Sequence, residues 1–471
     1  MKKLLFTSYF LFLTCILFAQ VDNGLPGATG MGGVANGIVR DWECIGVNPS
    51  NLGWENNHKF SISTLIFGIS VQSRALDYGQ LRNAIIHPSD TFSTADKKNF
   101  AALFTAKDGL NMQANLTWLT FSFAVPKVGG FAMNVRDRTF GNVTLNKNAA
   151  DILFMGVKAP VFQDTLALLQ NPQNLSKLFD GTKVSFMHYR EINFDYGTKI
   201  IGFGGTKDSS TVSIYGGIGF KYIWGLGDFE MIADNGVLTG HSAFSSKYGI
   251  NYGTIQNFTP QNSSGIFPSV GNGTAWDLGA GIGIGKMKIT FSATDIGQIK
   301  WSKNVLTAQD TLLPKPSQFN YNGITSWNMA QQANHMFNDS GLVKFKPGSA
   351  YTTQLPAKFR MGIGYQFTKR FALGADIVMP MNNNPSNLEN AYFAVGAQLV
   401  LASNLLISFG VAGNSTYGFS LPAGIKLGHF FKIMEVSIAT NDLLTYFNRG
   451  SNPNISLAVA LFRFNLDKKK K

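Results

Sequence analysis

Residues 359–368 have the sequence Phe-Arg-Met-Gly-Ile-Gly-Tyr-Gln-Phe-Thr, in which every second residue from Phe359 to Phe367 is apolar. A period of two places one set of side chains on each face of a β-strand, whereas a helix repeats about every 3.6 residues. After Lys369 and Arg370 the alternation resumes and continues to Met379. The stretch therefore predicts two antiparallel strands joined by a tight turn.

The same alternation, followed in both directions along the chain, predicts an all-β protein of about fourteen strands. Tight turns alternate with long loops, which occupy 74–109, 145–183, 225–274 and 298–356. Short turns on one rim and long loops on the other are typical of a transmembrane antiparallel β-barrel of the bacterial outer membrane. The loop at 225–274 could hold another hairpin, which would give about sixteen strands. The predicted strands are 59–73, 110–125, 129–144, 184–203, 211–224, 275–285, 286–297, 357–368, 370–379, 391–402, 404–412, 416–428, 430–440 and 455–466.

Residues 391–413 test this prediction because they are nearly uncharged and long enough for a transmembrane helix. Gln398 and the Ser403-Asn404 pair interrupt the stretch, and the alternation holds on both sides of that pair, which favours a hairpin. In a barrel the apolar set faces lipid and the other set faces the lumen. We expect lipid-facing side chains at Phe359, Ile363, Phe393, Leu399, Ile407, Phe409, Phe419 and Ile425, and luminal ones at Gly362, Gln366, Gln398 and Ser408.

The composition excludes several classes of protein. Hydrophobic residues make up 45% of the 471 residues, which excludes disorder, and a mean hydropathy of +0.03 is too low for a bundle of membrane helices. The net charge of +13 includes six lysines at the two ends of the chain. The remaining basic residues are not clustered, so we expect no nucleic-acid partner.

The first residues predict export. Residues 1–19 form a signal peptide, with Lys2 and Lys3 before an apolar stretch and Ala19 as a small residue at the cleavage site. Leu17 is large for its position before the cut, so the cleavage site is not fixed. The residues before Cys15 do not fit a lipoprotein signal. Cleavage would leave Cys44 alone, which excludes an intramolecular disulfide bond.

Some of the long loops carry helix signals. Ser93 and Asp96 form a capping box, followed by apolar residues on one face up to Asp108-Gly109. Further short helices are predicted near 162–170 and 326–337. We expect these helices to pack over the barrel mouth, or to line a ligand entrance.

No motif indicates an enzyme, a metal or a cofactor. The run from Gly279 to Lys286 has Ile284 where a dinucleotide-binding loop needs glycine, and Met287 where a phosphate loop needs Ser or Thr. The six histidines show no metal-ligand spacing. A Ser–His hydrolase assembled from distant strands stays open, because such triads are spatial.

A glycine-rich segment lies between the signal peptide and the first strand. It contains Gly30-Met31-Gly32-Gly33 and, further on, Asn48-Pro49-Ser50. The segment resembles the N-terminal hatch of the FadL/TodX family of outer-membrane transporters of hydrophobic compounds, in which a glycine-rich stretch reaches an Asn-Pro-Ala motif before the first strand. Ser50 stands here in place of the alanine. PorV-type barrels of the type IX secretion system have a similar pattern, and the nearest overall likeness is to uncharacterised outer-membrane families of this type.

The resemblance implies a hatch at 20–57 inside a barrel at 58–466, followed by a basic tail at 467–471. The predicted luminal faces of the C-terminal strands, which are rich in glycine and carry few charges, leave room for such a plug. The implied function is passive uptake of small hydrophobic or amphipathic compounds, with outer-membrane lipid or lipopolysaccharide around the barrel. The N-terminus would be periplasmic and the long loops extracellular. The alternative is a non-transporting scaffold or accessory barrel of a secretion or surface complex.

Overall fold

The computed structural model describes residues 24–87, 89–104, 109–163, 170, 172–204, 212–250, 252, 255–262, 268–313, 321–327, 342–415, 418–430, 434–447 and 454–466. The predicted signal peptide and the basic tail lie outside these residues. So does most of the predicted helix at 326–337.

The described strands form one antiparallel sheet that closes on itself, because the first strand pairs with both the second and the last. The strands are β1 (Phe60–Ser73), β2 (Gly109–Val125), β3 (Gly129–Thr144), β4 (Thr182–Phe203), β5 (Val212–Asp234), β6 (Val237–Phe244), β7 (Gly271–Ile284), β8 (Met287–Trp301), β9 (Val305–Gln309), β10 (Lys344–Pro347), β11 (Tyr351–Gln354), β12 (Lys358–Thr368), β13 (Phe371–Pro380), β14 (Tyr392–Ala402), β15 (Leu405–Asn414), β16 (Gly418–Ser420), β17 (Ala423–Phe430), β18 (Met434–Thr440) and β19 (Asn454–Leu466).

The closed ring has 14 strand positions, which confirms the predicted barrel. β11 and β12 share one position because both pair with β8, and β16 and β17 share another because both pair with β15. The predicted extra hairpin does exist, as β5 with β6. It extends the sheet beyond the ring together with β9 and β10, and adds no position to the barrel.

Short helices lie in the N-terminal segment and in the long loops. The helix predicted from Ser93 and Asp96 begins at that capping box, while the one predicted at 162–170 is a single turn at Pro160–Gln163 in the described residues. No helix of the described residues is long and apolar enough to cross a membrane. The helices are α1 (Pro26–Thr29), α2 (Tyr78–Ile86), α3 (Thr94–Leu103), α4 (Lys147–Met155), α5 (Pro160–Gln163), α6 (Leu175–Leu178) and α7 (Leu444–Phe447).

The long loops pack together at one end of the barrel. Their apolar side chains form one buried cluster that joins α2, α3, α4, α5 and α6 to the barrel end. The expectation that the loop helices pack over the barrel mouth is therefore confirmed for the described part of these loops. Representative members of the cluster are Leu81, Phe100, Phe104, Ile152, Phe154, Phe162 and Leu178.

The two faces of the barrel wall differ as the alternation predicts. Ile363, Phe393 and Phe409 are exposed on the outside. Gly362 and Ser408, which directly precede Ile363 and Phe409 in the chain, are buried. Arg360 and Asp376, two of the few charged residues on the luminal faces of the C-terminal strands, are each only 2% exposed. Gln366 is exposed because it lies beside the short turn between β12 and β13. The outer wall is thus apolar and the inner wall is covered.

Candidate functional site: the luminal segment

Residues 24–57, which we call the luminal segment, lie inside the barrel. Among them only Glu55 and Asn56 are exposed. The segment touches strands all around the ring: Gly30 lies against β15 and β17, Gly37 against β12, Pro49 against β5 and Leu52 against β3. The luminal segment therefore occupies the lumen of the barrel.

Glycines let the segment approach the wall at backbone distance, and the C-terminal strands show this clearly. A Cβ atom at Gly37 would lie 2.4 Å from the backbone nitrogen of Gly364, and one at Gly30 would lie 2.9 Å from Cα of Gly424. Real side chains do not approach a backbone this closely, so only glycine fits at Gly37 and Gly30. The luminal glycines of the C-terminal strands serve as the surface on which the segment lies.

The Gly30–Gly33 stretch turns the chain inside this surface. Gly32 and Gly33 have φ values of +71° and +90°, a backbone conformation that favours glycine. Met31 sits on Gly396 of β14, and the hydroxyl of Tyr392 donates a hydrogen bond to the carbonyl of Gly32. An apolar contact and a buried hydrogen bond therefore hold the turn against the wall, in addition to the backbone hydrogen bonds that Gly32 and Gly33 donate within the turn.

Asn48, Pro49 and Ser50 rest on the opposite part of the wall. Asn48 caps a 3₁₀ turn at Pro49–Gly53, since its side-chain oxygen accepts hydrogen bonds from the Ser50 nitrogen at 3.0 Å and the Ser50 hydroxyl at 2.6 Å. Pro49 lies on Gly217 of β5, and Ser50 lies on Gly279 of β7. The glycine run that fails as a nucleotide-binding loop is thus a wall surface for this motif.

Asn36 is a functional candidate that the sequence analysis missed. Its side chain donates to the Thr290 carbonyl at 3.0 Å and accepts from Asn48 at 2.8 Å, and its backbone nitrogen donates to Asp376 at 2.8 Å. Ala35 donates to the same carboxylate oxygen at 2.9 Å. Asn36 therefore links the two halves of the luminal segment to β8 and β13. Its only sequence signal was its place inside the glycine-rich stretch.

A charged contact fastens the segment to the last strand. Asp41 Oδ2 lies 2.6 Å from His58 Nδ1 and 3.1 Å from Nη2 of Arg463 in β19, while Arg463 Nη1 lies 3.1 Å from Glu43. Burial raises the pKa of Asp41, but the hydrogen bond with His58 and the charge of Arg463 outweigh it and bring the pKa to about 2. Asp41 is therefore ionised at neutral pH.

The N-terminal half of the wall carries a layer of buried charges, which differs from the weakly charged lumen expected from the C-terminal strands. Arg136 pairs with Glu191, Arg138 pairs with Asp295 at 2.9 Å, and Lys221 pairs with Asp277 at 2.9 Å. The luminal segment covers this layer, and Gly46 packs on the Arg136 guanidinium. The lumen thus has a charged half on β3–β8 and a glycine-rich half on β12–β17.

A cavity of about 130 Å³ remains between the luminal segment and the wall of β14, β15, β17, β18 and β19. Gly27, Met31 and Trp42 line it from the segment, and Gln398 and Leu406 line it from the wall. Charged side chains of Glu43, Lys426, Glu435 and Arg463 complete the lining. Its surface is therefore amphipathic.

The structure brings all seven residues of the predicted hatch motif into the lumen. Gly30, Met31, Gly32 and Gly33 lie on the glycine-rich half, and Asn48, Pro49 and Ser50 lie on β5, β7 and β8. They do not form one compact site: Asn36 is the residue that connects the two groups. Their role as a hatch stays a prediction.

Comparison with known proteins adds a family and several similar folds. A family model described as a family of unknown function (DUF5723) matches residues 53–434. No curated protein matches the chain. Among solved structures, the chain is similar to a TodX deltaS2S3 mutant, a monoaromatic hydrocarbon channel (10% identity, 94% of this chain and 99% of that chain, TM-score 0.48).

Two further solved structures are similar at comparable levels. The Ralstonia pickettii toluene transporter TbuX has 11% identity over 94% of this chain and 99% of that chain, with a TM-score of 0.45. A Pseudomonas aeruginosa FadL homologue has 10% identity over 96% of this chain and 99% of that chain, with a TM-score of 0.42. The likeness concerns the fold.

Proposed function

The chain belongs to DUF5723, a family of unknown function, and from its outer surface and its lumen we propose that it is an outer-membrane barrel for passive uptake of small hydrophobic or amphipathic compounds. In this proposal the luminal segment is the hatch of the uptake path. The N-terminus is periplasmic, and the long loops are extracellular.

The outer surface supports a membrane location. Large apolar side chains are exposed around the whole ring, a band far larger than the apolar patches of soluble monomers. Near the short turns, aromatic rings lie side by side, as in Phe123–Phe131 at 5.2 Å and Phe131–Tyr196 at 4.8 Å between centroids. Aromatic girdles mark the membrane–water interfaces of transmembrane barrels. Exposed members of the apolar band include Phe67, Phe194, Ile218, Trp276, Leu278, Ile363, Phe393, Phe409, Ile425, Ile438 and Leu461.

The way the luminal segment is held supports a removable closure. It is joined to the wall by hydrogen bonds, one charged cluster and glycine contacts, and Cys44 within it is a free thiol. Its only covalent connection to the described barrel is the chain that enters β1. The segment can therefore shift without breaking a covalent bond.

The single observation that carries the solute class is the amphipathic cavity. Its volume is close to that of an engineered cavity of about 150 Å³ that admits benzene, but its lining also offers charged groups. A compound with one ring and one polar or ionised group fits both properties. A solute larger than this cavity could pass only if the luminal segment moved away from the wall.

Flux into lipopolysaccharide-containing vesicles tests this proposal. The probe is benzenesulfonate, an ionised aromatic compound that crosses lipid slowly, and a small sugar is the comparison solute. We expect benzenesulfonate influx to exceed that of protein-free vesicles while sugar influx does not. Equal rates for both solutes, or no protein-dependent influx, would contradict uptake of amphipathic compounds.

A matched pair of variants ties that flux to the cavity. A Cβ at Gly27 would meet nothing nearer than 3.8 Å, so Gly27→Phe can fill the cavity without disturbing the backbone. We expect it to reduce benzenesulfonate influx severalfold. Gly79→Phe, the same change on the exposed surface of α2, is the control and should leave the influx unchanged.

The filled lumen is also the observation that favours the alternative role, a non-transporting scaffold. A barrel whose only role is to present its packed long loops to a partner protein needs no open path through its lumen. Purification in mild detergent followed by mass spectrometry separates the two roles. A stoichiometric large partner would favour the scaffold, whereas a lone monomer with copurified small amphipathic compounds would favour uptake.

A further inference from the structure

The loop between β13 and β14, residues 381–391, folds into the barrel, and we call it the crossing loop. Its residues Asn387 and Leu388 are buried, although a loop between two exposed strand ends would normally lie in solvent. Leu388 packs in one cluster with Met31 and Val34 of the luminal segment. The crossing loop therefore shares one apolar cluster with the luminal segment and the wall.

Three asparagine side chains hold the crossing loop in this inward position. Asn387 donates to the Ala357 carbonyl at 2.8 Å and to Asn382 Oδ1 at 2.9 Å. Asn382 donates to the Leu355 carbonyl at 2.7 Å, and Asn384 donates to the Gln354 carbonyl at 2.6 Å. All three backbone acceptors lie in residues 354–357, which run from the last residue of β11 to the residue before β12. The loop is thus clamped to a neighbouring part of the wall.

The crossing loop also reaches the far side of the lumen. Residues 385–389 line a gap of about 40 Å³ together with Asn111 and Gln113 of β2 and Asn142 of β3. In the ring of 14 positions, β13 and β2 stand on opposite sides. The loop therefore spans the barrel, on the long-loop side of the luminal segment, and borders a narrow gap with a mixed polar and apolar lining.

We propose that the crossing loop is a second closure of the lumen, in series with the luminal segment. The two closures meet in the apolar cluster that contains Leu388, Met31 and Val34, so a solute that passes the loop next meets the glycine-rich stretch. Only the role of the crossing loop in uptake rests on the proposed function. Its shielding of the lumen does not, because that shielding can be measured without any transported solute.

Thiol labelling of the full-length protein in detergent tests the shielding. Ala394 is a buried luminal residue in the cluster that joins Leu388 to Met31. In an Ala394→Cys, Cys44→Ser protein, we expect slow labelling by a polar maleimide. Replacing residues 383–389 with Gly-Ser-Gly should increase the labelling rate by about tenfold or more, because the buried thiol then opens to solvent.

Point variants separate the clamp from a general loss of structure. Asn387→Ala removes the buried hydrogen bonds of the clamp and should increase the labelling rate severalfold. Asn383→Ala changes an exposed asparagine of the same loop and should leave the rate unchanged. Heat-modifiable migration on gels verifies that each barrel is assembled.

The outcomes decide both proposals independently. Equal labelling rates for the parent and the shortened loop would overturn the second closure, as would equal acceleration by Asn387→Ala and Asn383→Ala. Benzenesulfonate flux in vesicles reports the uptake separately. Loop-dependent labelling without any protein-dependent flux would refute the uptake and would support the second closure as a shield of the lumen.

Discussion

Asn48 donates its side-chain amide to the side-chain oxygen of Asn36 at 2.8 Å and to the Phe291 carbonyl at 3.1 Å. The first bond joins the Asn-Pro-Ser motif to the glycine-rich stretch, and the second joins it to β8. Because the Asn48 oxygen also accepts from Ser50, all of its polar atoms are used. Asn48 is therefore the best single residue at which to loosen the luminal segment.

Asn48→Ala should loosen the luminal segment within an assembled barrel. It removes the Asn48 donor to the Asn36 side-chain oxygen and the Asn48 acceptor of the Ser50 nitrogen and hydroxyl, at about 1–3 kcal/mol for each buried group left unsatisfied. The measurement is the reaction rate of the buried Cys44 thiol with a small reagent, which we expect to rise by about tenfold or more. Asn56→Ala, at an exposed position of the same segment, is the control. A Cys44 rate that does not differ between the two variants would contradict this role.

Gly37→Ala tests the backbone approach of the segment to the wall. The added methyl group would lie 2.4 Å from the Gly364 nitrogen, so the segment must move, at about 1–3 kcal/mol. Gly27→Ala adds the same methyl group next to the cavity and should be neutral. We expect limited proteolysis to cut the segment faster in Gly37→Ala only. Equal cleavage would show that the close approach does not hold the segment.

The barrel could be predicted from the sequence because period-two alternation survives in each strand of its C-terminal half. Between Phe359 and Leu461 the outward residues are mostly large and apolar, and the inward ones are mostly small with a few charges, so pattern and structure coincide. The glycines of this half are required for a second reason, which the alternation alone could not reveal. They face the luminal segment at backbone distance, as Gly364 does with Gly37.

The charged half of the lumen could not be predicted in the same way. Arg136 and Glu191 are 55 residues apart in the chain and meet only because β3 pairs with β4. The contacts of Asn36 and of the crossing loop could not be predicted either, because their partners are far away in the sequence. Local signals identify turns and faces, whereas these contacts depend on the register of strand pairing and on where the loops and the luminal segment lie in the barrel.

Arginine substitutions test the two faces of the wall. Phe409→Arg places a charge toward lipid, which costs about 2–4 kcal/mol near the midplane, and should reduce assembly of heat-modifiable barrel. Gln398→Arg points into the 130 Å³ cavity and should be tolerated. Ser408, a predicted luminal position, is an exception, because its hydroxyl lies against Gly30 and leaves no room for arginine. Normal assembly of Phe409→Arg would contradict the outward orientation.

The claim that the luminal segment closes a path through the barrel is tested most directly by deleting residues 21–57. The deletion is made in the parent protein and in the variant whose residues 383–389 are replaced by Gly-Ser-Gly. The rate of liposome swelling in small sugars is then measured for each protein. We predict that the double variant swells severalfold faster than either single variant or the parent. A double variant that assembles as a barrel and swells no faster than the parent would contradict a path closed by the luminal segment.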